Sequence, residues 1–239
     1  MKKWKKILLI VLIGIVVIAV GGVAYLQTQT YPPARPAEQT AQRAEESSDW
    51  LYFPSEDQSK PIVIFYPGAL VDPESYSVWA ESLAQSGYPV YVLKMPLDLA
   101  VLAPNRAEKV LEEQPERSYV VGGHSLGGVM ASRFAAENAE HLKGVFFLAS
   151  YPDEKGSLAN KEVPVLSLTA ENDQVLNQAA YKESKQELPE NAEYQEIAGG
   201  NHAGFGAYGP QKGDGESTID DQNQQVADRL LAWLENDVK

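Results

Sequence analysis

Twenty consecutive positions, 7–26 (ILLIVLIGIVVIAVGGVAYL), carry no charge, and beyond residue 50 the chain changes to short apolar runs alternating with amphipathic stretches. The apolar runs are PIVIFYPG (61–68), PVYVLKM (89–95), SYVVGGH (118–124), GVFFLAS (144–150), VPVLSLTA (163–170) and AEYQEIAG (192–199), with WLYF (50–53) as an additional early strand. They are rich in Val, Ile, Tyr and Phe, as strands are. Helical spacing predicts helices near 73–86, 103–114, 126–139, 175–187 and 218–236. Near-continuous apolar strands separated by helices are the pattern of a mainly parallel sheet buried on both faces, so the expected fold class is α/β, preceded by one N-terminal transmembrane helix. Right-handed crossovers then bring the C-terminal ends of the strands to one edge of the sheet, where ligand sites form.

The apolar run at 7–26 spans a hydrocarbon core of about 30 Å at roughly 1.5 Å per residue. A cleaved signal peptide and an uncleaved signal anchor both begin this way. The run exceeds the usual apolar region of about 7–15 residues and ends without a small-x-small site, which favours the anchor. Lysines at 2, 3, 5 and 6 place the N-terminus in the cytoplasm and the remainder outside, at a single-pass position in the cell membrane. The expected organisation is therefore a basic segment at 1–6, an anchor at 7–26, a polar, proline-containing linker at 27–48 and one catalytic-sized domain at 49–239.

Charge sharpens this division. The net charge is -13, but residues 7–239 hold 16 cationic and 33 anionic side chains, a net of -17. Phosphate recognition needs clustered Lys and Arg, so nucleic acid is not an expected partner; the membrane enters only through the N-terminal helix. The absence of cysteine excludes disulfides, thiolate metal sites and a cysteine nucleophile. Only three histidines are present, and no metal or cofactor is expected.

Candidate chemistry centres on Gly123-His124-Ser125-Leu126-Gly127, a G-x-S-x-G pentapeptide with a predicted strand running into it and a predicted helix leaving it. A serine at that turn holds its hydroxyl out at the sheet edge, and the Leu126 N–H at the helix N-terminus faces developing negative charge. The alternative is a serine that merely caps the helix. A serine hydroxyl needs an adjacent base. His124 is expected to leave the turn in another direction and His141 to lie at a helix end, which leaves His202 in the glycine-rich GGNHAGFG loop after the last strand. An acid must fix the tautomer of that base. Asp173, three residues beyond a strand, is preferred, with Glu171 and Asp214 in reserve, although Asp173 also suits an ordinary N-cap.

The elbow, the strand-end Asp and the late His, in the order Ser125, Asp173, His202, resemble the alpha/beta-hydrolase fold family over residues 61–236, in particular its small branch of dienelactone-hydrolase-like and carboxylesterase-like proteins. The resemblance implies a second oxyanion donor from the loop after an early strand, here Phe65-Tyr66-Pro67-Gly68-Ala69-Leu70, and so the Ala69 N–H. Pro67-Gly68 stands where His-Gly is usual at that donor loop. Dienelactone hydrolases proper use a cysteine nucleophile, so with Ser125 and no cysteine their substrate does not carry over. Only residues 151–162 are available for a cap, so the site is expected to be shallow and open. Tyr66, Tyr151 and Phe205 are candidates for its substrate wall, with Tyr76 and Tyr208 near the same rim. The expected function is a membrane-anchored serine hydrolase acting on small-molecule or envelope-derived acyl substrates. Acyl transfer or peptidase action on envelope material, and a catalytically silent surface binding module, are the alternatives.

Overall fold

A computed structural model describes residues 3–57 and 59–238, so Met1 and Lys2 of the basic segment lie outside the described residues. Two compact units make up the chain, residues 1–30 and 31–239. The first is helix α1 (Lys3–Gln27), in which Ile7–Gln27 is long and apolar enough to cross a membrane. Such a helix meets the requirements of an anchor and of a signal sequence alike.

The second unit is built on one eight-stranded sheet. Its strands are β1 (Glu45–Glu46), β2 (Trp50–Phe53), β3 (Ile62–Tyr66), β4 (Val90–Leu93), β5 (Tyr119–His124), β6 (Leu142–Leu148), β7 (Val165–Ala170) and β8 (Glu193–Ile197), in the spatial order β1-β2-β4-β3-β5-β6-β7-β8. β1 and β2 pair antiparallel, as do β2 and β4, and every other pairing is parallel. Each apolar run expected to be a strand is one, to within a few residues at its ends.

Alternating side chains bury both faces. On β3, Val63 and Phe65 join Trp79 of α3 (Ser77–Gln85) and Leu230 and Trp233 of α7 (Gln222–Asn236), which follows the short α6 (Gln178–Glu183), in one core; Ile62, Ile64 and Tyr66 join Val110 of α4 (Glu108–Glu113) and Phe134 of α5 (Leu126–Glu137) in the other. This parity decides one candidate. Tyr66 is fully buried on the α5 side with its hydroxyl donating to Pro104 O at 2.6 Å, so it is core and no part of a substrate wall.

The expected linker is only partly a linker. From Tyr31 the chain is folded onto the domain: Tyr31 N–H donates to Leu70 O at 2.7 Å, Asp72 N–H donates to Tyr31 O at 3.1 Å, and Ala34 N–H donates to Ala207 O at 2.6 Å. Helix α2 (Arg35–Ala41) follows, with Pro36 in its first turn, and buries Ala37, Thr40 and Ala41. An ion pair joins Arg43 to Glu81 of α3. The helix escaped the hydropathy pattern because its buried face is alanine and threonine, which give no aliphatic period. A chain begun at Tyr31 is therefore expected to melt with the full domain. A chain begun at Asp49 loses these backbone hydrogen bonds and the α2 contact, about 3 kcal/mol at roughly 1 kcal/mol per bond, and should melt roughly 6–12 °C lower. Equal melting temperatures by calorimetry would show that 31–48 contributes nothing.

Candidate active site

Four strand ends on one edge of the sheet, those of β3, β5, β7 and β8, carry the predicted triad and oxyanion residues. β5 ends at His124, and Ser125 follows with φ 51° and ψ -125° before α5 begins at Leu126. A non-glycine residue held there stores about 1–3 kcal/mol of strain. The surrounding bonds impose the conformation: Ser125 N–H donates to Leu148 O at 3.0 Å, and Ser150 Oγ donates to Ser125 O at 2.5 Å. Glycines let the strand and helix pass this closely, since a Cβ at Gly123 would collide with the Gly127 carbonyl and the Gly128 nitrogen. The serine is thus at a forced strand-to-helix turn and not in the extended conformation of an ordinary N-cap.

The loop after β3 lies against this elbow, because Tyr66 is in register with Gly123. On either side of Ala69 the backbone is tied inward: Gly68 N–H donates to Tyr76 Oη at 3.0 Å and Leu70 N–H donates to Asp98 O at 2.8 Å. Leu70, Leu97 and Asp98 all have left-handed φ, at 57°, 55° and 53°. Among the described residues, the Ala69 and Leu126 amides donate to no protein acceptor. Both amides belong to backbone fixed by its neighbours, as a preorganised anion site requires.

After β7, Asp173 serves two purposes at once. Its Oδ1 accepts the N–H groups of Val175 and Leu176, both at 2.8 Å, and its Oδ2 lies 2.8 Å from His202 Nδ1. The capping role and the orienting role are thus divided between the two oxygens. Both side chains of the pair are essentially sealed, at 0% and 1% exposure. A carboxylate oxygen at that distance is the partner for an Nδ1–H donor, the arrangement in which Nε2 is free to take a proton. Nε2 makes no hydrogen bond among the described residues, and none joins it to Ser125 Oγ. In unliganded enzymes this contact is often long and tightens with substrate. The ring of His202 sits 4.5 Å, centroid to centroid, from that of His124, the residue before the serine.

Neither reserve carboxylate contacts His202; both brace the backbone of the loops around it. Glu171 Oε2 accepts Gly199 N–H at 2.8 Å. Asp214 accepts Ala203 N–H on Oδ2 at 2.8 Å and Gln174 N–H on Oδ1 at 3.3 Å, tying the His202 loop to the Asp173 loop. Asp214→Ala leaves those amides without partners, at about 1–3 kcal/mol each where buried, and is expected to lower both the melting temperature and kcat/KM, the latter about tenfold. Unchanged kinetics in a destabilised variant would show that the brace serves stability alone. Buried Gln222, at the start of α7, adds a further tie by accepting Asn201 N–H at 2.9 Å and donating to Asn201 O at 2.8 Å.

Other expectations need correction. His124 does not turn away from the site: it is buried beside His202, with Nδ1 2.9 Å from Tyr76 Oη. Phe205 is fully buried, packed against His124 at 5.8 Å, and Tyr76 is equally enclosed, so neither lines an open wall. Tyr208 is also buried, against Tyr31. Of the three wall candidates, Tyr151 alone remains partly exposed, just beyond β6. His141 lies past the end of α5, in a left-handed turn before β6. The 151–162 segment carries one short 3-10 turn and is pinned to α5 by the two-pronged Arg133–Asp153 pair. What the sequence could not disclose was the role of Tyr76, Ser150 and Gln222, polar residues at buried positions whose partners are distant in the chain.

A model of the alpha/beta hydrolase family matches residues 62–226, and the chain belongs to that family. Solved structures agree in fold. The dienelactone hydrolase of Anabaena variabilis ATCC 29413 is 16% identical with a TM-score of 0.59, covering 80% of this chain and 92% of its own. Est1E from Butyrivibrio proteoclasticus is 14% identical with a TM-score of 0.61, covering 81% and 97%. The naproxen esterase (carboxylesterase NP) of Bacillus subtilis is 12% identical with a TM-score of 0.58, covering 82% and 96%. At these identities the likeness concerns the fold alone. No curated protein matches the chain.

Proposed function

We propose that the protein is a membrane-anchored serine hydrolase that cleaves carboxylic esters on the extracytoplasmic side through an acyl-enzyme. The observation that carries this reading is the sealed Asp173–His202 pair, which holds a histidine in the base tautomer at the same sheet edge as a serine in a strained turn. Ser125 Oγ attacks the ester carbonyl carbon while His202 Nε2 takes its proton, and Asp173 stabilises the imidazolium. The carbonyl oxygen becomes an oxyanion held by the N–H groups of Leu126 and Ala69, each donor worth about 2.7–4 kcal/mol in the transition state. Collapse expels the alcohol, which receives the proton from His202. Water then attacks the acyl-serine, giving its proton to His202, and the carboxylic acid leaves as Ser125 recovers its hydrogen.

The anchor reading rests on the uncharged run ending α1 and on the lysines that precede it. The net charge of -17 over residues 7–239 suits a domain that stands clear of anionic lipid. The pinned, short 151–162 segment favours an open site that accepts substrates of varied size. A p-nitrophenyl ester series of graded acyl length, assayed with the purified full chain, tests the reading. Turnover of short esters at rates well above buffer is expected, and no turnover across the series would reject it. Adding a primary alcohol to the same assay separates hydrolysis from acyl transfer, since transfer yields the new ester at the expense of acid.

A further inference from the structure

Two buried residues outside the triad link the two sides of the proposed oxyanion site. Gly68 N–H donates to Tyr76 Oη at 3.0 Å, and Tyr76 Oη lies 2.9 Å from His124 Nδ1. The phenol oxygen accepts from Gly68, and among the described residues its own proton has no acceptor besides His124 Nδ1, which assigns the imidazole proton to Nε2. Burial above all, and then the electrostatic influence of the adjoining His202 ring, hold His124 well below the ordinary histidine range, so the ring is neutral; the His202 backbone opposes this more weakly.

Position in the chain gives these bonds their meaning. Gly68 immediately precedes Ala69, and His124 stands two residues before Leu126, so a single run of hydrogen bonds connects the backbone on which both oxyanion donors sit. The run has little slack. A Cβ at residue 68 would lie 2.8 Å from His124 Nδ1 and 3.1 Å from Tyr76 Oη. The Tyr76 ring is wedged by Phe65 at 4.8 Å, and the His124 ring lies between His202 at 4.5 Å and Phe205 at 5.8 Å. Elsewhere this core is largely aliphatic and aromatic, and two polar groups placed in it cost stability unless they bond to each other and to the backbone.

Resting on the serine-hydrolase reading above, we propose that Tyr76 and His124 are positioning residues that set the distance between the Ala69 and Leu126 amides by tying the Gly68 backbone to the nucleophile elbow. An oxyanion is bound well only when its donors sit about 2.7–3.1 Å away, so a loop that relaxes by a few tenths of an ångström loses transition-state binding and not substrate binding.

The test uses the full chain with p-nitrophenyl butyrate and with an alkyl trifluoromethyl ketone, which accepts Ser125 Oγ to form an oxyanion adduct. Tyr76→Phe is expected to lower kcat about 10–100-fold, to leave KM within about twofold, and to weaken the ketone by the same factor as kcat/KM. His124→Leu should match it. His124→Asn, whose Oδ1 can accept the Tyr76 proton near the place of Nδ1, should return to within about fivefold of the parent. A merely structural role would lower the melting temperature without this parallel loss of kcat and ketone affinity. Tyr76→Phe and His124→Leu proteins that keep both within about threefold would overturn the proposal, as would a folded His124→Asn protein no better than His124→Leu. If Tyr76→Phe does not fold, the two His124 variants decide the matter. A parent protein inert to esters and to the ketone would remove the hydrolase reading and this proposal together, whereas an active parent with unaffected variants removes this proposal alone.

Discussion

Ser125→Ala is expected to reduce turnover of p-nitrophenyl butyrate by about 10⁴–10⁶-fold, because removal of the proposed nucleophile leaves only the proposed oxyanion donors and substrate binding to assist water. The melting temperature should change little, since alanine retains the Cβ and with it the strain of φ 51° at the elbow. Ser125→Gly separates the two contributions. It should be as inactive as the alanine variant yet more stable by about 1 kcal/mol, roughly 2–4 °C for a domain of this size, because glycine adopts that backbone conformation freely. A Ser125→Gly protein that melts lower than Ser125→Ala would show that the elbow is not strained. The Leu148 and Ser150 bonds to the serine backbone maintain the strained turn, which in the proposed reaction holds the hydroxyl at the sheet edge.

Asp173→Asn is expected to lower kcat by about 10⁴-fold with little loss of stability. The amide oxygen can still accept the N–H groups of Val175 and Leu176, so the turn survives. The amide nitrogen then faces His202 Nδ1 and can only donate to it, which moves the imidazole proton to Nε2 and removes the base. Asp173→Ala loses the turn as well and should be destabilised by a further 1 kcal/mol or so. Measurement of kcat and melting temperature for both variants distinguishes the two oxygens of one carboxylate. An Asn variant retaining more than about a tenth of parental activity would place the orienting acid elsewhere.

The α/β organisation was legible because each strand buried on both faces is an unbroken run of Val, Ile, Phe or Tyr, as in IVIFY of β3, and that signal does not depend on partners. The three candidate triad residues were legible for a related reason: each lies just past such a run, and parallel topology sends all those ends to one edge. Direction was not legible. The G-x-S-x-G pattern announces a turn, but whether His124 points away from it or beneath it depends on Tyr76, which approaches from 48 residues away. Composition does not separate Tyr66 and Phe205 from surface loop aromatics; only strand parity for Tyr66 and packing on His124 for Phe205 place them in the core. Glu171 and Asp214 show the same limit from the other side. Three carboxylates suited one role by position, and the backbone amides that claim two of them are remote in sequence.

The family assignment and the fold fix the class of the molecule, and the serine is the claim on which the proposed chemistry turns. Its most direct test is to treat the full chain with a fluorophosphonate, digest it and locate the adduct by mass spectrometry. A single phosphonylated residue, Ser125, formed in the parent and absent from Ser125→Ala, is the predicted result; an adduct on any other residue, or labelling retained in the alanine variant, would contradict it.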